Sequence, residues 1–89
     1  MSKWTIEYTE TARRQLRKLD KSVARRVVDY MDRRVAVLED PRAVGKALRG
    51  VLGDLWRYRV GEYRIICELR DQQLCVLVVR VGSRKDVYR

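Results

Sequence analysis

The stretch that most constrains this chain runs from Asp54 to Arg70: Asp-Leu-Trp-Arg-Tyr-Arg-Val-Gly-Glu-Tyr-Arg-Ile-Ile-Cys-Glu-Leu-Arg. Apolar and polar residues alternate on both sides of Gly61-Glu62, the pattern of two half-buried strands joined by a two-residue turn. Glycine at the first turn position suits a type II′ hairpin, where that residue needs a positive φ. The pairing sets Val60 opposite Tyr63, Tyr58 opposite Ile65 and Trp56 opposite Cys67, an apolar set that reads as the core face. On the other face Arg59 lies opposite Arg64, and Arg57 opposite Ile66. Like charges directly across a strand pair destabilise a hairpin. A sheet that gathers Arg57, Arg59 and Arg64 is therefore expected to use them on an anion.

The flanks supply the rest of the fold. Lys3 to Tyr8 alternates, with Trp4, Ile6 and Tyr8 on one face, and predicts a first strand. Thr9 or Thr11 is placed to cap a helix carrying Ala12, Leu16 and Leu19 at helical spacing. After a break at Asp20–Ser22, with Ser22 as the expected cap, Val23, Val27, Met31, Val35 and Leu38 give a second helix one apolar stripe. Asp40-Pro41 should end it, because the residue before proline is pushed out of helical geometry. Arg42 to Gly53 holds three glycines in nine residues, Gly45, Gly50 and Gly53, and predicts a loop. Asp71-Gln72 is a further turn, and Leu74 to Val81 is a nearly continuous apolar strand interrupted by Arg80. Such a strand belongs in the middle of a sheet, here between the hairpin and the first strand, and its two apolar faces leave its register open. Gly82 is expected to end it. The order predicts an α+β fold in one domain spanning residues 1–89. A two-helix antiparallel hairpin packs on one face of a mostly antiparallel sheet that three C-terminal strands complete. The other face stays open and lined with arginine.

Charge narrows the class of partner. The chain carries 21 Lys and Arg against 12 Asp and Glu, a net charge of +9, which favours RNA, DNA or an acidic protein. The longest wholly apolar run, Leu74 to Val79, is too short to span a bilayer. With no signal peptide pattern at the start, a cytoplasmic protein without membrane association is expected. There is no histidine, which removes the usual general base and the commonest metal ligand. Cys67 and Cys75, both inside apolar strand patterns, read as buried reduced thiols. No metal or small-molecule cofactor is expected. The outer helix faces carry a run of basic residues that includes Arg13, Arg17 and Arg25. These, with Lys46 and Arg49 ahead of the hairpin, are candidate contacts to an RNA backbone.

Several segments together resemble the RelE family of bacterial toxins, within the RelE/ParE superfamily of toxin–antitoxin systems. They are Gly45-Lys46-Ala47-Leu48-Arg49-Gly50, Leu55-Trp56-Arg57-Tyr58-Arg59, Gly61-Glu62-Tyr63-Arg64-Ile65-Ile66, Val81-Gly82-Ser83-Arg84 and Val87-Tyr88. The resemblance covers essentially the whole chain. It implies a ribosome-dependent, metal-independent endoribonuclease that cuts A-site mRNA by attack of the ribose 2′-OH on the adjacent phosphate. It also implies a RelB-like antitoxin as partner, with DNA met only through the antitoxin complex. Arg57 and Arg59 match the family's catalytic basic pair, Arg64 its transition-state arginine, Arg84 the arginine after the last strand, and Tyr88 the tyrosine that stacks on an mRNA base. The archetype has lysines where Arg57 and Arg59 stand. Arginine stays protonated in proteins, so this pair suits phosphate grip and leaves the general base unassigned. The sequence ends one residue after Tyr88, so the C-terminal helix that relatives lay over the site is not expected. The rival within the superfamily is a ParE-like, non-enzymatic inhibitor of DNA gyrase.

Overall fold

The computed structural model describes residues 3–48 and 55–87. Its strands are β1 (Thr5–Tyr8), β2 (Lys46–Leu48), β3 (Leu55–Val60), β4 (Tyr63–Arg70) and β5 (Cys75–Ser83). They form one sheet in the order β1-β5-β4-β3-β2, parallel between β1 and β5 and antiparallel elsewhere. Helices α1 (Glu10–Lys18) and α2 (Lys21–Tyr30) cover one face, and a short α3 (Arg84–Val87) follows β5. No helix among the described residues is long and apolar enough to cross a membrane.

The hairpin forms as its alternation predicts. Val60 pairs with Tyr63, Tyr58 with Ile65, Trp56 with Cys67, Arg59 with Arg64 and Arg57 with Ile66. Gly61 holds φ +58° while Glu62 does not take a positive φ, as a type II′ turn requires. The inward residues Tyr58, Ile65 and Cys67 are fully buried with Val27, Met31 and Val35 from the helical side and Val76 and Val78 from β5. Burial holds the Tyr58 hydroxyl and the Cys67 thiol well above their ordinary pKa. The Tyr58 hydroxyl donates to the Pro41 carbonyl at 2.7 Å, so this buried polar atom is satisfied.

α1 is joined to the middle of β5. Thr9 caps it, its Oγ1 accepting from the Ala12 N–H at 3.1 Å, and the same hydroxyl donates to the Val79 carbonyl at 3.2 Å. Gln15 Oε1 accepts from the Val81 N–H at 2.7 Å. These two contacts fall on a β-bulge and just beyond it: Ile66 pairs with Arg80 but Cys67 pairs with Val78, which leaves Val79 as the extra residue.

Five local expectations are corrected. The cap of α2 is Asp20, and Ser22 lies inside the helix. The second helix is α-helical only to Tyr30 and continues as a π-helical turn, Met31–Val35, closed by Ala36 N–H to Met31 O at 2.9 Å. This wider turn keeps Met31, Val35 and Ala36 all facing inward. Pro41 starts a 3₁₀ turn, Pro41–Ala43, capped by the Asp40 side chain. The expected loop from Arg42 contains β2, paired with β3 through Lys46–Arg57, Ala47–Trp56 and Leu48–Leu55. Gly45 makes this possible: at φ +82°, a Cβ there would sit 2.5 Å from the Arg57 carbonyl oxygen and 2.6 Å from Trp56 Nε1. Finally, β5 begins at Cys75, runs through Gly82 to Ser83 and passes directly into α3, with Leu74 outside it at φ +49°. The rest of the predicted loop, including Arg49, Gly50 and Gly53, and the first hairpin residue Asp54 lie outside the described residues.

Candidate functional site

Strand alternation sends Arg57 and Arg59 of β3, and Arg64 of β4, to the face that the helices leave uncovered. Arg59 pairs with Arg64, which pairs with Gly82 of β5. Gly82 puts no side chain opposite Arg64, which leaves that space for Val87. β5 then turns into α3, whose Val87 is 2% exposed and packs over Gly82. That contact sets Arg84 and Lys85 at the rim. The result is a cleft of about 350 Å³ lined by Arg59, Glu62, Arg64, Ser83, Arg84 and Lys85.

The guanidinium groups differ in how they are held. Arg59 Nε donates to the Gly61 carbonyl at 3.2 Å, which ties it to the hairpin turn. Arg64 is half-buried, and its Nε, shielded from solvent, meets no acceptor among the described residues. A buried donor of this kind is satisfied when an oxyanion enters the cleft. Arg84 is exposed on α3. A smaller cleft of about 220 Å³, lined by Tyr30, Gly45, Lys46, Arg57 and Arg59, adjoins the first through Arg59. The two clefts meet at Arg59 and make a cationic trough that runs from β2 and β3 to the end of β5 and α3. The other side of that face is mixed in charge. There Glu7 Oε2 accepts from the Cys75 thiol at 3.3 Å, and burial with the nearby carboxylate pushes the thiol up to about 11.

Five of the expected residues, Arg57, Arg59, Arg64, Arg84 and Lys46, thus meet along one trough. Arg13, Arg17 and Arg25 do not join them. All three are exposed on α1 and α2, on the far side of the sheet. Arg17 and Arg25 rim a separate groove of about 430 Å³ whose floor is Leu16, Leu19 and Ala24. Tyr88 and Arg49 lie outside the described residues.

Three residues in or beside the trough escape the sequence reading. Lys85 follows Arg84 in the tail. Glu62 reads in the sequence as a turn residue, although two-residue periodicity places it on the Arg64 side; among the described residues it is the one carboxylate lining the larger cleft. Arg80 pairs with Ile66 on the open face, and only the bulge puts it there. Among the described residues no group of three or more His, Cys, Asp or Glu side chains is placed to hold a metal ion. What the trough can do is grip a phosphodiester through several guanidinium groups, with a carboxylate and an ammonium beside them for proton transfer.

Comparison with known proteins points the same way. The family model described as the ParE toxin of type II toxin–antitoxin system, parDE, matches residues 6–88. The toxin RelG of Mycobacterium tuberculosis is 35% identical over 86 residues, covering 97% of both chains. The mRNA interferase toxin RelE of Escherichia coli is 29% identical over 82 residues, 90% of this chain and 82% of that one. Among solved structures, the RelBE2 toxin–antitoxin complex of M. tuberculosis superposes with a TM-score of 0.84 at 34% identity, covering 97% of each chain.

Proposed function

Because this chain belongs to the RelE family of type II toxin–antitoxin toxins, we propose that it cleaves mRNA in the ribosomal A site. The observation that carries this reading is the single cleft shared by Arg59, Arg64 and Arg84. The 2′-OH attacks the adjacent phosphorus, the P–O2′ bond forms and the P–O5′ bond breaks, leaving a 2′,3′-cyclic phosphate and a 5′-OH. Charge grows on the non-bridging oxygens, and Arg59, Arg64 and Arg84 are the donors that meet it. Arg57 and Lys46 hold the strand alongside. Glu62 accepts the 2′-OH proton, and Lys85 supplies the proton that the leaving oxygen takes up. Tyr88 stacks on a splayed base, a contact worth roughly 1–3 kcal/mol. The ribosome bends the mRNA into line, so positioning supplies much of the remaining acceleration.

The partner that restrains the toxin is a RelB-like antitoxin, as in the RelBE2 complex that this chain resembles. Its covering segment is acidic or amphipathic, to suit a net charge of +9, and it lies over the trough, the groove between α1 and α2, or both. The toxin acts in the cytoplasm, where ribosomes are. DNA is met through the toxin–antitoxin complex.

A ParE-like gyrase inhibitor is the second reading, favoured by the ParE description of the matching family model. One experiment separates the two: induce the toxin and map the 5′ ends of ribosome-bound mRNA. New 5′-OH ends at A-site codons are expected, and co-expression of the adjacent acidic antitoxin should abolish them. Growth arrest without any such ends overturns cleavage and moves the function to gyrase.

A further inference from the structure

The sheet register lays the open-face cations out in two rows. One row is Arg59 and Arg64 with Gly82 beyond them, continued by Arg84 at the strand end. The other crosses four strands as Lys46, Arg57, Ile66 and Arg80. The rows are two residues apart along every strand, so they lie about 7 Å apart at the usual rise per residue. That is the scale of the step from one phosphate to the next along an extended nucleic-acid strand. Within the second row, Ile66 lies between the two arginines and is only 2% exposed although it faces away from the main core. Its direct neighbours across the strands are Arg57 and Arg80. Their methylene stems are placed to cover it while their guanidinium heads reach solvent. Arg57 and Arg80 each also interact within the chain.

The geometry points to a second phosphate subsite on this face, formed by Lys46, Arg57 and Arg80, that takes the phosphate next to the scissile one. It rests on the RNA-cleaving reading above and deepens it. The first row meets the phosphate that reacts. The second row holds its neighbour and so fixes which linkage enters the first. Arg80 is the added element, since it extends the grip from β3 across β4 to β5. Its contribution belongs to binding, because the neighbouring phosphate carries the same charge before and during reaction.

The test uses programmed ribosomes whose mRNA carries a neutral methylphosphonate at one of the two linkages flanking the cut. With unmodified mRNA, Arg80→Ala should raise the half-saturating toxin concentration about tenfold, the scale of one charge-assisted contact, with the maximal single-turnover rate nearly unchanged. Arg80→Lys should recover most of the loss. For the full-strength chain, a methylphosphonate at one flanking linkage should cost a similar factor. For Arg80→Ala, that same modification should cost almost nothing more. Equal losses in both proteins at both linkages, or an Arg80→Ala variant that binds normally, would overturn the second subsite while leaving cleavage intact. Failure of the unsubstituted toxin to cut any ribosome-bound mRNA would overturn the RNA-cleaving reading itself.

Discussion

Arg64 and Ile65 are consecutive residues of β4, and the two faces of the sheet treat them oppositely. Ile65 is fully buried with Val27, Met31 and Val35. Arg64 lies across from Arg59 on the uncovered face, its Nε without an acceptor among the described residues. The covered face buries few polar atoms, of which the Tyr58 hydroxyl is satisfied on the Pro41 carbonyl while the Tyr8 hydroxyl meets no partner among the described residues, and it excludes charge. The uncovered face gathers like charge that weakens the pairing beneath it. Stability is thus concentrated on one side of the sheet, and the other is free to be arranged for an anion. The contrast makes mutations on the two faces separable, residue by residue.

The largest effects should fall on opposite measurements. Arg64→Ala and Arg84→Ala are expected to lower single-turnover cleavage of A-site mRNA by about 10²–10³-fold, with unfolding free energies within about 0.5 kcal/mol of the parent. Ile65→Ala is expected to cost about 2–5 kcal/mol of stability, with the fraction still folded cutting at the parent rate. Calorimetry and cleavage assays on the same preparations decide it. Loss of stability in the arginine variants, or of intrinsic rate in the isoleucine variant, would break the division between faces. Next, Glu62→Gln should slow cleavage on the order of 10²-fold without affecting mRNA binding, as loss of a general base does. An unchanged rate would remove Glu62 from the chemistry.

The two cysteines sharpen the comparison through pH. Cys67 is on the covered face, its thiol raised by burial. Cys75 is on the uncovered face, raised from 9.0 to about 11 by burial and by Glu7. A group whose pKa is higher in the folded than in the unfolded chain stabilises fully below the unfolded value and loses that contribution as pH rises through the folded one. Melting temperature should therefore fall from about pH 9 upward, as the unfolded chain ionises first. Glu7→Gln should shrink the Cys75 part of this loss and end it at lower pH, because the bond donated to a carboxylate and that carboxylate's charge both raise the thiol, while the Cys67 part stays. Thermal melts across alkaline pH, paired with alkylation rates of each thiol, check both. The smallest effect is Arg57→Lys, expected to change the cleavage rate by no more than a few-fold and to favour an increase, since a lysine can deprotonate where an arginine does not.

The hairpin and its arginine face were legible because a period-2 alternation around Gly61 leaves one register that buries Tyr58, Ile65 and Cys67. The helical stripes were legible for the same kind of reason. What was hidden depended on the third dimension. β2 exists because Gly45 lets the chain run close to Trp56 and the Arg57 carbonyl, and no local pattern reports a contact made across the sheet. The π-helical turn at Met31–Val35 changes the period inside an apolar stripe that looks continuous. The face of Arg80 was not legible because Leu74 to Val81 is apolar on both faces, so its alternation has no phase.

That phase is set by Val79, and the bulge acts on β5 as a frameshift acts on a message. Before it, Cys75 and Leu77 face outward with Val76 and Val78 inward; after it, Arg80 and Gly82 face outward with Val81 inward. Were Val79 paired in ordinary alternation, the phase of Val76 and Val78 would carry on through the strand: Arg80 would enter the core and Val81 would stand in the trough. Thr9 and Gln15 clamp the frame, Thr9 at the extra residue itself through the Val79 carbonyl and Gln15 two residues on through the Val81 N–H. The last third of the strand is therefore sensitive to length: one residue inserted between Arg80 and Arg84 would exchange the faces of every position after it. Within this fold, the spacing between the Val79 insertion and Arg84 should drift less than the residues that fill it.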